Sequence, residues 1–210
     1  RLKRYGTGAG TVTRSYHPNK RFELTGTYTR LHEDNAVLGV QALDPSLLGK
    51  GSSTDGLTMG FTFDATPTLR IAGSGTIGRT VSSSQNALIS TGGRGFISTA
   101  YQMSLTKEHL LDRNDSLRVS IAQPLHVEDG SLIITSVKVV DRDTGALGSY
   151  SQKFSLGQTR RPLVGEFSYS RALLAGRADI ALFGKAQIAG DPVQYQAARL
   201  LAGARFTVRY

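Results

Sequence analysis

GSGTIG, residues 73–78, has the G-x-G-x-x-G spacing with which a backbone can wrap a dinucleotide pyrophosphate. That chemistry needs a strand before the motif and a helix opening at its end. Here Ile71 and Ile77 carry a period-two alternation straight through the run, and TVSSSQN follows where an amphipathic helix is required. The run therefore reads as a glycine-rich strand, in which absent side chains permit bending or close approach. LHED (31–34) and HVED (126–129) combine imidazole with carboxylates and could hold a hard or borderline cation. Neither has the spacing of an EF-hand loop or of H-E-x-x-H, so both read as solvated loop charge. The four histidines, His17, His32, His109 and His126, fall near expected strand ends or in loops, and no G-x-S-x-G elbow positions a serine for attack. No catalytic, cofactor-binding or metal residue is expected, and no cofactor.

The composition narrows the classes further. At 210 residues the chain fits a single domain over 1–210 and could bury a substantial core. Without cysteine there is no disulfide framework and no thiolate metal site. The net charge of +9 invites a nucleic-acid reading, but no stretch collects five or more of the 25 Lys and Arg, so no nucleic-acid partner is expected. No apolar run approaches the ~18 residues of a spanning helix. RLKRYGTGAG has positive charge with no apolar stretch behind it, so any export signal is expected upstream of Arg1.

The elements that must position these residues alternate with period two almost throughout. FELTGTYTR sets Phe22, Leu24 and Tyr28 against Glu23, Thr25 and Thr27; GLTMGFTFD sets Leu57, Met59, Phe61 and Phe63 against Thr58, Thr62 and Asp64. The same pattern opposes Leu69 and Ile71 to Arg70, Val119 to Arg118 and Ser120, Phe167 and Tyr169 to Glu166, and Ile180 and Leu182 to Arg177 and Asp179. At the carboxy terminus Ala202, Ala204, Phe206, Val208 and Tyr210 oppose Gly203, Arg205, Thr207 and Arg209. Strands are expected near 7–16, 21–31, 56–64, 68–78, 93–106, 115–125, 130–140, 147–157, 161–172, 175–187 and 197–210. Most are longer than a typical soluble strand and match the ~9–11 tilted residues that cross a bilayer.

The expected fold is therefore all-β, an antiparallel transmembrane up-and-down barrel of about 10–12 strands. Tight connections at 17–20, 65–68 and 172–176 fall at one end, and long ones at 32–55, 79–92 and 188–196 at the other. DRDTGA (141–146) and KEHLLDRND (107–115) are placed at the tight end, where they are longer than the rule prefers. An odd count of eleven leaves one strand to be found, either upstream or at NAVLGVQAL (35–43). In such a barrel Glu23, Asp64, Arg70, Arg118, Glu166, Arg177, Asp179, Arg205 and Arg209 would face the lumen.

DSLRVSIAQPLHVEDGSLII (115–134) resembles a signature in the carboxy-terminal region of subtilisin-like serine protease autotransporters of Gram-negative bacteria. LHEDNAVLG (31–39) and GLTMGFTFDATPTLRIAGSGTIGRT (56–80) are similar to the same family, and the resemblance covers roughly residues 22 to 210. It implies an outer-membrane translocator that anchors and exports an amino-terminal passenger, with the protease upstream and no enzyme in this chain. It also implies twelve strands with a segment threading the pore, so that one strand and that segment precede Arg1. The implied partners are outer-membrane lipid, the barrel-assembly machinery and the chain's own passenger. Ala204, Phe206, Val208 and Tyr210 would form the carboxy-terminal assembly signal, read by strand addition to an open edge. Two other classes fit the alternation: another outer-membrane pore or adhesin, and a soluble basic β-sandwich binding module, for which the lack of tryptophan speaks mildly.

Overall fold

The computed structural model describes residues 7–34, 36–37, 40–41, 51–82, 88–157, 161–174, 177–188 and 198–208, and among these there is no α-helix. The strands are β1 (Thr7–Asn19), β2 (Phe22–Glu33), β3 (Ala36–Val37), β4 (Val40–Gln41), β5 (Ser52–Thr66), β6 (Leu69–Ser82) and β7 (Ile89–Thr91). There follow β8 (Phe96–Glu108), β9 (Asp115–Asp129), β10 (Ser131–Val139), β11 (Leu147–Ser155), β12 (Leu163–Leu173), β13 (Ala178–Ile188) and β14 (Ala198–Val208). Nine of them form one antiparallel sheet in the order β1-β2-β5-β6-β8-β9-β12-β13-β14. This meander keeps chain order, as an up-and-down fold requires. The sheet is not closed: β1 and β14 each have a single partner among the described residues.

Connection length sorts by end. Residues 20–21, 67–68, 109–114 and 174–177 join strands at the turn end, and 34–51, 83–95, 130–162 and 189–197 join them at the loop end. Two expectations are corrected here. The segments 130–140 and 147–157 are strands, but not of the main sheet: β10 and β11 pair with each other and β10 with β7, in a separate three-stranded sheet. DRDTGA is consequently the tip of a hairpin leaving the loop end, not a turn-end connection. Its turn is held by Asp141, whose carboxylate accepts bonds from the Thr144 hydroxyl (2.7 Å) and the Asp143 and Thr144 amides (2.8 and 3.3 Å). The Thr144 hydroxyl first, then those amides, hold the Asp141 carboxyl below the usual aspartate range. The described residues of NAVLGVQAL, 36–37 and 40–41, supply no further strand to the main sheet, since β3 and β4 pair only with each other; the rest of that segment lies outside the described residues.

Extensive contacts run only between strands that neighbour one another in the sheets, apart from a small one between β6 and β7. No second layer is therefore packed on the nine-stranded sheet among the described residues. The fully buried side chains cluster at the loop end, around Phe96, Thr80, Ser52 and Gln123. Most of the buried set is polar, the reverse of a soluble core.

Candidate functional site

Pairing register assigns every wall residue to one of two faces. Glu23 lies opposite Thr62, Asp64 opposite Arg70, and Arg70 opposite Thr106, which in turn lies opposite Arg118. Glu166 lies opposite Ser120, Asp179 opposite Ala172, and Arg205 opposite Ala181. Because partners share a face and neighbours alternate, Glu23, Asp64, Arg70, Arg118, Glu166, Asp179 and Arg205 all lie on one polar face. Arg177 sits in the turn before β13, outside the strands, and Arg209 lies outside the described residues.

The polar face is organised by cross-strand pairs. Arg70 grips Asp64 through Nε–Oδ1 at 2.6 Å and Nη2–Oδ2 at 3.3 Å, a fork-on-carboxylate geometry. Lys185 meets Glu166 at 2.9 Å, and His17 meets Glu23 at 3.5 Å. Threonine hydroxyls bond across strands at Thr13–Thr27 (3.1 Å), Thr54–Thr80 (2.8 Å) and Thr58–Thr76 (2.8 Å). Lys185 belongs among the site residues: the alternation of RADIALFGK sets it on the polar side with Asp179, although it was left out of the lumen-facing set. On this face Thr58, Gly60, Thr62 and Asp64 are half-buried, whereas Leu57, Met59 and Phe63 on the reverse are exposed. In a single layer, that difference makes the polar face the concave one.

The convex face carries Leu57, Met59, Ile77, Tyr101, Met103, Leu105, Ile121 and Phe167, all exposed. Charges gather at its two ends. Arg30, Asp55 and Arg79 lie at the loop end, where Tyr28 donates to Asp55 at 2.6 Å. Lys107, Asp115 and Arg171 lie at the turn end, with Arg171 bound to Asp112 at 2.7 Å. Asp115 caps the 109–114 turn, accepting bonds from the amides of Leu110, Leu111 and Asp112 and from the Tyr169 hydroxyl. Between these belts the only charge on the described convex face is Arg14, on edge strand β1. Ala204, Phe206 and Val208 of the expected assembly signal lie on this convex face, opposite Leu182, Ile180 and Ala178; Tyr210 lies outside the described residues.

The chemical motifs resolve into structure. GSGTIG lies inside β6, where Gly73 faces Phe61: a Cβ there would stand 2.6 Å from the ring. Phe167 over Gly184 and Phe183 over Gly203 repeat the device, a ring laid across the glycine of the next strand. LHED ends β2 instead of lying in a loop. His32 contacts Ser53 Oγ through Nδ1 (3.0 Å) and Asp34 through Nε2 (3.3 Å), a serine–histidine–aspartate line. The line is half-exposed, and Ser53 is laddered to β2 on one side and β6 on the other, so its backbone supplies no oxyanion pocket.

HVED is not solvated loop charge. It lies within β9, where the pairing with β8 shifts register between Thr99 and Tyr101 and again between Ile97 and Ser98. Two irregularities in one strand bend it and re-aim its side chains. Gln123 and His126 are buried, and the Gln123 amide donates to the Thr99 hydroxyl at 3.2 Å. Glu128 is held by that hydroxyl at 2.5 Å and by Arg161 at 2.9 Å. No group of three or more potential metal ligands occurs among the described residues. The QPLHVEDG block is thus the elbow at which β9 leaves the wall and becomes β10.

No protein-family model, curated protein or solved structure matches the chain.

Proposed function

We propose that this chain is the wall of an autotransporter-type translocator, a β-barrel in the outer membrane of a Gram-negative bacterium that anchors and exports an amino-terminal passenger. The observation that carries the reading is the inverted sheet: a concave polar face, and a convex apolar face with its charges at the two ends. In water such a face is costly. Covering the exposed half of each large side chain gains roughly 1 kcal/mol, so the eight named on the convex face forgo roughly 8 kcal/mol. That is about the whole net stability of an ordinary domain. Hydrocarbon contact removes the penalty without a second protein layer.

The dimensions agree. From Leu69 to Arg79, β6 rises roughly 33 Å at ~3.3 Å per residue. At a strand tilt of ~40° this is about 25 Å along the membrane normal, the height of the apolar band of outer-membrane barrels. Short turns at one end and long connections at the other are also the pattern of such barrels.

An open sheet edge cannot stay in lipid, because each unpaired backbone group there costs several kcal/mol. β1 and β14 both run from the loop end to the turn end, so they would meet as parallel strands. Antiparallel closure therefore takes an odd number of additional strands between them, giving an even total. The passenger would be the subtilisin-like protease that the QPLHVEDG block suggests; on this reading the chain itself catalyses nothing. Its partners would be membrane lipid, the passenger, and the assembly machinery that reads β14.

The test is to express the chain with an export signal and the sequence encoded upstream, then fractionate. The expected result is a heat-modifiable band in the outer membrane, with upstream sequence accessible to protease on intact cells. A chain that is monomeric and folded in detergent-free buffer overturns the reading.

A further inference from the structure

Several charges of the concave face are closed in pairs, and Arg118, near its middle, is not. Arg118 stands between two closed pairs, Asp64–Arg70 and Glu166–Lys185. Its registered neighbours are Thr106 and Ser168, both uncharged. Among the described residues it makes no hydrogen bond or ion pair of its own. Glu108 lines the neighbouring recess with Arg118 without pairing to it. The hydroxyls of Ser104, Ser120 and Ser168 around it are likewise unengaged: Ser104 opposes Ser120, and Ser168 opposes Arg118. A guanidinium with three free hydroxyls beside it is a cationic donor set with no carboxylate paired to it.

A second observation lies in the same recess, which is about 560 Å³. Phe183 and Leu201 share the polar face by register, yet are large, apolar and 41% and 60% exposed. Both line the recess that contains Arg118. Apolar side chains break the pattern of the polar face where the unmatched guanidinium sits.

We infer that this recess binds a peptide segment by a carboxylate on Arg118 and an adjacent apolar side chain on the Phe183–Leu201 ledge. The guanidinium supplies a forked, charge-assisted pair to Asp or Glu, and the serine hydroxyls complete the carboxylate's shell. The ledge distinguishes such a segment from a bare anion, which gains nothing from apolar contact. Placing this recess inside a pore rests on the proposed barrel; the recess itself does not.

The test uses the full chain in detergent micelles and a fluorescently labelled, end-blocked peptide with one glutamate between leucines, followed by anisotropy. The glutamate peptide should bind at least tenfold more tightly than its glutamine analogue. Arg118→Gln should abolish that preference, and Phe183→Ser should weaken both peptides. Arg70→Gln should leave binding unchanged, because Arg70 is already committed to Asp64. The inference is overturned if the glutamine analogue binds equally, if Arg118→Gln retains the preference, or if inorganic phosphate displaces the peptide at equal concentration. Heat-modifiable migration of each variant in the same samples reports folding. A chain folded in plain buffer would remove the barrel while leaving the peptide measurement decisive for the recess.

Discussion

Replacing Ile121 with arginine puts the face assignment under direct load. Ile121 points outward from β9, 48% exposed, between Met103 of β8 and Gly165 of β12. From Asp115 in the turn-end belt, the strand climbs roughly 20 Å to reach it at ~3.3 Å per residue. With a tilt of ~40° that is about 15 Å along the membrane normal, close to the middle of a ~25 Å apolar band. A guanidinium there costs ~2–4 kcal/mol, which is a loss of about 30- to 700-fold in the folding equilibrium. Ser120 is the adjacent residue but faces the polar side, between Ser104 and Glu166. Ser120→Arg should therefore change stability by no more than ~0.5 kcal/mol. The assay is urea-dependent folding into phospholipid vesicles, read by heat-modifiable gel migration. On a water-exposed sheet both substitutions would be nearly neutral, so equal effects at 120 and 121 refute the reasoning.

Three further outcomes are expected. Gly73→Val should destabilise by ~1–3 kcal/mol through crowding of Phe61, whereas Gly75→Val, with open space at its Cα, should not; adding Phe61→Ala should remove the Gly73 penalty in the same folding assay. Because the chain has no cysteine, introduced pairs report cleanly: Val12→Cys with Tyr28→Cys, which are registered partners, should cross-link, and Val12→Cys with Phe206→Cys should not if another strand intervenes. The Asp141 carboxyl is held below its unfolded range, so its support of the hairpin turn is fully present above about pH 4 and is lost as pH falls through the depressed folded value. Exchange of the Asp143 and Thr144 amides should accelerate over that acid window, and Asp141→Asn should make the exchange insensitive to it.

The sequence made the faces legible because side-chain parity survives wherever a strand is regular. That is why seven charges chosen by alternation alone share one face in the register. Parity carries no information about partners. SLIITSVKVV and ALGSYSQKF were placed in the wall although they alternate least cleanly of the expected strands; that weak alternation and the awkward length of DRDTGA at the turn end were the signals against it. Parity also fails at an irregularity. Beside the register shifts at Thr99, Gln123 and His126 are buried although their partners Tyr101 and Thr99 belong to the convex side, and Pro124, which cannot donate to a ladder, was the sequence sign of that break. The recess around Arg118 was half legible: Arg118 was marked for the polar face, while the Phe183–Leu201 ledge needed the register of β13 against β14.

The central claim is that the convex face touches hydrocarbon, and the chain's lack of tryptophan makes it directly measurable. Single tryptophans placed in turn at 117 through 122 and folded into vesicles containing brominated lipid should be quenched alternately. Positions 117, 119 and 121 should respond to the lipid bromine, and 118, 120 and 122 to a water-soluble quencher. Uniform aqueous quenching along β9, or alternation in the opposite phase, would contradict the account.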